Sequence, residues 1–307
     1  MSKNHSFDKH PLLASVTGSI RFNMMNDFMF KTVLQEKNHV LIGLICALLH
    51  LDESAIKSAI VQNPITPGEV IDDKTVILDV KVLLNNGALL DLEMQVVNKG
   101  NWIERSSFYL CRNYTSLKSG QGYLRVMPSY QIGFLGYTLF PESPEFYAVN
   151  MLMNKRTHQI YTDKLSISVV DLTKIDLATE EDRRYKIDQW AQLFKSTTWE
   201  EFKMLSIPET ILEEVGETIC KVSADEHMRQ LLEAREDAIR NELDVQQLLD
   251  EAKKERDEVT AKLDAANTAL ADKDAELADK NNMLADANAR IAELEKQLAD
   301  KEADKKA

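Results

Sequence analysis

No proline follows Pro208 and no glycine follows Gly216, so residues 217–307 lack both of the common helix breakers. Turns are disfavoured there, and one long helical tail behind a folded body is expected. Cysteine is scarce. Cys46, Cys111 and Cys220 lie far apart with no CxxC pair, which excludes a zinc ribbon or a disulfide framework and fits a reduced, cytoplasmic setting. The six histidines show no metal-ligand spacing. Long apolar runs are missing too: Val40 to Leu49 is too short to span a bilayer, and the N-terminus lacks a basic start followed by an apolar stretch. A cytoplasmic chain without a membrane partner is expected.

Positive charge is also in short supply, with a net charge of −13 over 307 residues. Such a balance opposes general attraction to polyanions. Its distribution matters more. Residues 217–307 carry 15 Lys+Arg against 24 Asp+Glu, leaving 22 against 26 for residues 1–216. The body is therefore nearly balanced and has room for a local basic groove. Residues 1–21 read as a flexible N-terminal arm, 22–216 as one α/β domain, and 217–307 as a helical coiled-coil tail.

What is present centres on Ile77 to Gln95, ILDVKVLLNNGALLDLEMQ, where two alternating runs flank Asn85-Asn86-Gly87 and read as a β-hairpin. A two-residue Asn86-Gly87 turn would put Val80, Val82 and Leu84 on the face of Asp91 and Glu93, splitting the apolar set. A three-residue loop, a type I turn closed by a left-handed glycine, resolves this. Asp79 then faces Glu93, Lys81 faces Asp91, and Val80, Val82, Leu84, Ala88, Leu90, Leu92 and Met94 share the other face.

Asp79 beside Glu93, with Gln95 two residues on, is costly unless a cation separates the carboxylates. Mg²⁺ or another divalent cation suits the pair. It takes hard oxygen ligands from one or two carboxylates, keeps several waters, and completes its shell on substrate phosphate, a setting for hydrolysis by activated water. Two other readings stand beside this one. The carboxylates match a glycosidase pair in kind, but the acidic face offers no aromatic platform for a sugar. Alternatively, they lie on the solvated outer face of an edge hairpin, with Lys81 answering Asp91.

The arrangement of an Asp, a hairpin and Glu-x-Gln resembles the PD-(D/E)XK nuclease superfamily, with Gln95 where most members carry lysine. More narrowly, NDFMFKTVL (Asn26 to Leu34), ILDVKV (Ile77 to Val82), LEMQV (Leu92 to Val96) and ERSSFYLCRNYTSLKSGQGY (Glu104 to Tyr123) resemble Rpn-type recombination-promoting nucleases, also described as transposases. The likeness covers about residues 20 to 215. It implies a restriction-endonuclease-like mixed sheet flanked by helices. It also implies a Mg²⁺-dependent endonuclease acting on DNA in recombination, with Asp79 and Glu93 on the metal and Gln95 placing the water. An amide there can hydrogen-bond a water but has no charge. A nuclease fold that has lost turnover and serves as a DNA- or protein-binding coiled-coil scaffold is the competing reading.

Around the hairpin, two helices are expected from Met24, broken near Lys37 to His39. Asp27 and Lys31 sit four apart on the first, where the resemblance sets them beside the site and simple spacing makes them a surface ion pair. A helix from Trp102 to Leu117 aligns Arg105, Tyr109 and Arg112 on one face. That face either offers cations to phosphate or lays its stems on the sheet. Tyr130 to Leu139 reads as a buried strand beside the hairpin, Phe146 to Leu152 and Leu165 to Leu172 as further strands, and Thr179 to Phe194 and Trp199 to Leu205 as helices, with Thr198 as a cap. In the tail an apolar residue recurs every seven: Leu263, Leu270, Leu277, Leu284, Ile291, Leu298. The second seam holds Ala, Lys and Asn, so a weak homodimeric coiled coil is expected.

Overall fold

The computed structural model describes residues 11–65, 79–114 and 122–304. It divides into a compact unit, Met1–Gln246, and a second unit, Gln247–Ala307. Within the first, the described strands form one six-stranded sheet in the order β1-β2-β3-β4-β6-β5. These are β1 (Ala59–Val61), β2 (Val80–Leu84), β3 (Leu89–Gln95), β4 (Ser129–Leu135), β5 (Tyr147–Met151) and β6 (Leu165–Asp171). The β3–β4 and β4–β6 pairs are parallel and the others antiparallel. Parallel neighbours need a crossover. Helix α4 (Trp102–Tyr114) lies between β3 and β4 in the chain and supplies it.

The hairpin has the expected register. Val80 pairs with Leu92, Lys81 with Asp91 and Val82 with Leu90, which brings Asp79 opposite Glu93. The loop is Asn85, Asn86 and Gly87, with Gly87 at φ +85° in the left-handed region where a side chain would be strained.

Helices fill the two faces unequally. On the apolar side α2 (Asp27–Glu36), α3 (Asn38–Leu48), α6 (Ile187–Lys195) and α8 (Glu209–Ala224) share one core with Val80, Val82, Leu90, Leu92, Ile132 and Phe134. Phe30, Phe134 and Phe194 meet there ring to ring at centroid distances of 5.1 to 5.5 Å. Only α4 is described over the opposite face. Trp102 lies on Gly133 so closely that a Cβ at residue 133 would stand 2.2 Å from its ring. The glycine in mid-strand is therefore a seat for an indole.

Several boundaries move. Residues 11–22 are not a loose arm, because α1 (Pro11–Ser15) seats Leu13 against Gly216 and Ile20 and Phe22 are buried in the core. The expected helix over Thr179 to Phe194 is two. A capping box of Thr179 and Asp182 starts α5 (Glu180–Arg184), and Lys186 at φ +61° breaks the chain before α6. Thr198 caps α7 (Trp199–Lys203), also through a capping box. The compact unit does not stop at Gly216. That residue is buried within α8, and the long helix α9 (Glu226–Asp304) places Leu232 in the core. Residues 66–75 of the expected extended segment, Ile77 and Leu78 of the hairpin, and 115–117 of the expected α4 lie outside the described residues.

In the second unit the helix runs on with its heptad leucines exposed, Leu263 through Leu298 each leaving more than half their surface to solvent. Among the described residues no helix is long and apolar enough to cross a membrane.

Candidate active site

The hairpin's polar face is buried, which removes the reading of a solvated edge. Asp79, Asp91, Glu93 and Gln95 are 7%, 0%, 5% and 6% exposed. Alternation alone puts Asp91, Glu93 and Gln95 on one side of β3, and pairing adds Asp79 from the residue before β2. Asn63, just beyond β1, locks Asp79 in place. Its amide nitrogen donates to the Asp79 carbonyl and to Oδ1, both at 3.0 Å, and its oxygen accepts from Lys81 N–H at 2.9 Å.

Three acids on one buried face are hard to ionise together. Burial, then the charge of Asp79 and a contact with its carboxyl, pushes Asp91 up to about 8. Neither Asp91 oxygen has a hydrogen-bond donor. Two carboxylates are both acceptors, so only a shared proton or a cation can join them. Glu93 is pushed up to about 7 by burial, against the Arg105 guanidinium, which draws it down, while Asp79 and Asp27 add repulsion. Arg105 Nη2 stands 2.7 Å from Glu93 Oε1.

A hard cation fits this donor set. It would relieve the burial and repulsion that raise both acids. Among the described residues no cluster of three or more His, Cys, Asp and Glu forms a metal cage. Two carboxylates with waters and phosphate completing the shell is the arrangement Mg²⁺ accepts.

The remaining expected residues divide. Arg105 is at the face, with its guanidinium 5.9 Å from the Tyr109 ring centre. Arg112 is exposed further along α4. Asn26 caps α2 by accepting from Phe28 and Met29 N–H, which sets Asp27 at the start of the helix and buries Lys31 one turn on. Asp27 is close enough for its charge to reach Glu93. It is not an open ligand, because Arg235 of α9 grips it through three hydrogen bonds of 2.6 to 2.9 Å. The same stretch of α9 is tied to the body by Lys99–Glu242 at 2.9 Å and by Asn26 donating to the Leu232 carbonyl at 3.2 Å.

Sequence reasoning missed Asn63, Tyr137 and Arg235. Tyr137 follows β4, and its hydroxyl lies 3.0 Å from Gln95 Nε2. No local pattern marks any of the three, since their partners lie 16, 42 and 208 residues away along the chain.

Residues 24–252 match the model of a family described as PD-(D/E)XK nuclease family transposase, three quarters of the chain and the whole of the site described above. No curated protein and no solved structure matches.

Proposed function

Because the chain belongs to the PD-(D/E)XK nuclease transposase family, we propose that it is a divalent-metal-dependent DNA endonuclease in recombination or transposition-like processing. The observation that carries the reading is the buried face on which Asp79 opposes Glu93, with Gln95 two residues on. On this reading Asp79 and Glu93 hold Mg²⁺ or a similar ion. When bound, the ion lowers the pKa of a water and neutralises charge on the phosphodiester.

The chain's own residues then have separate tasks. Arg105 offsets part of the burial that raises Glu93, and its guanidinium, at the edge of the face, would be placed to hold a phosphate oxygen. Arg112 and Tyr109, on the same helix, extend that face toward the DNA backbone. Lys31 adds positive charge from α2, and Asp27 holds α9 through Arg235. Gln95 positions the attacking water through its amide. The exposed leucines of the second unit support weak pairing of two copies, which would set two sites on opposite strands of one duplex.

A second reading rests on the amide at position 95 and the leucine stripe. It is a nuclease fold without turnover, acting as a DNA- or protein-binding scaffold. Plasmid incubated with protein, with and without Mg²⁺ and beside Asp79→Ala, separates the two. Metal-dependent nicking lost in the variant supports the enzyme. Intact plasmid in every lane, with DNA still retained by the protein, supports the scaffold.

A further inference from the structure

Gln95 is committed at its nitrogen. Nε2 donates to the backbone carbonyl of Val97 at 3.0 Å and to the Tyr137 hydroxyl at 3.0 Å. A carbonyl oxygen only accepts, so the Val97 contact decides which end of the amide is nitrogen. Both N–H groups are thereby used. Gln95 Oε1, buried and without a donor, is the one hydrogen-bonding function that remains.

Tyr137 is held for this contact by packing against the cluster of Trp102, Leu135 and Val169 beneath α4. Its hydroxyl feels the charges of both Glu93 and Arg105. Burial first, and Glu93 second, push the phenol above its usual range. It therefore stays a neutral hydroxyl that accepts from Gln95 and retains its own proton.

We propose that Tyr137 is a positioning residue for DNA cleavage. With the Val97 carbonyl it holds the Gln95 amide so that the oxygen, rather than the nitrogen, receives a hydrogen of the attacking water. The inference rests on the nuclease reading above. An amide does not take the proton; it orients the water by accepting one O–H and leaves a lone pair free for phosphorus. Gln95 is then opposite in hydrogen-bond sense to the lysine common in the superfamily, since an ammonium donates three times and accepts nothing. Lysine at 95 would satisfy Val97 and Tyr137 and offer the water only donors.

The test is a double-mutant cycle on the full chain with Mg²⁺ and plasmid, reading kcat and KM separately and checking each Tm. Tyr137→Phe should stay folded with a modestly lower Tm, keep its KM and lose about three- to tenfold in kcat, the worth of one buried hydrogen bond. In a Gln95→Ala background the same change should alter kcat by less than about twofold, because the group it acts through is gone. Gln95→Lys should be as slow as Gln95→Ala. Wild-type kcat in Tyr137→Phe, an equal loss in both backgrounds, or wild-type activity in Gln95→Lys would each overturn the proposal. These outcomes require a cleaving wild type. A wild type that never cleaves removes the nuclease reading itself, and the role of Tyr137 with it.

Discussion

The two faces of the hairpin both bury side chains, the apolar one throughout and the polar one at its acids, and they are oppositely satisfied. On one, Val80, Val82, Leu90 and Leu92 meet helices α2, α3, α6 and α8 and need nothing beyond contact. On the other, Asp91 is completely buried with no donor to either oxygen, Glu93 depends on Arg105, and Gln95 has an idle carbonyl. Burial of apolar groups stabilises. Burial of unpaired carboxyls costs several kcal/mol each unless they stay protonated or meet a cation. A fold that retains the second kind of face supports its chemistry with the first.

Substitutions on the two faces should therefore fail in different ways. The largest effect is expected at the acids. Asp79→Ala and Glu93→Ala should each lower cleavage by about a thousandfold or more while keeping a cooperative unfolding transition, since each removes repulsion along with a ligand. Nicking at the wild-type rate by either protein would withdraw the metal assignment. On the apolar face, Leu92→Ala should cost about 2–5 kcal/mol of stability through an unfilled cavity. Denaturant melts of the two classes, run side by side, measure the contrast directly.

A smaller effect follows from pH. Asp91 is raised to about 8 from 3.8, so the folded state holds its proton where the unfolded state has lost it. Stability linked to that proton is full below about pH 4 and lost as pH rises toward about 8, because the native state binds more protons across that window. Glu93, raised to about 7, adds the same slope over a narrower range. Metal-free protein should thus weaken from pH 5 to 8. Asp91→Asn should flatten the decline, and saturating Mg²⁺ should oppose it by taking the place of the protons. A melting temperature that rises over this range in metal-free protein would contradict the burial described here.

The smallest effect is expected at the tail. A chain ending after Gln246 keeps Leu232, Arg235 and Glu242 on the body and should melt like the full chain. Losing the leucine stripe should leave it monomeric by sedimentation and shift its products toward nicks. Ending at Gly216 would instead cut α8 in two, and that protein should be strongly destabilised. Monomeric sedimentation of both the full chain and the form ending at Gln246, across micromolar concentrations, would dismiss pairing through the stripe.

Much of the site was legible because its information is local. The hairpin register follows from the two-residue period of a strand together with the left-handed position that Gly87 fills, so Asp79 opposite Glu93 could be read before any fold. The long C-terminal helix follows from the absence of Pro and Gly after Gly216, although the chain still breaks at Asp225 between α8 and α9. Strand β4 follows from the apolar, aromatic run of Tyr130 to Leu139, of which the strand keeps the part up to Leu135. Whether the acids faced water was not legible. Alternation assigns two sides to a strand, but it does not say whether the polar one is covered, and that is decided only when distant segments pack over the acids.

By itself the sequence determined the hairpin, the acid pair, the cap at Thr198 and the tail helix, because each depends on neighbours within a few residues or on a strand period. The tertiary structure alone decided that Arg235 would claim Asp27 across 208 residues and that Tyr137 would hold Gln95 across 42. It also decided that Arg105 would answer Glu93. These contacts form where the packed core brings distant segments together, and no periodicity along the chain records which long loop will close on which partner.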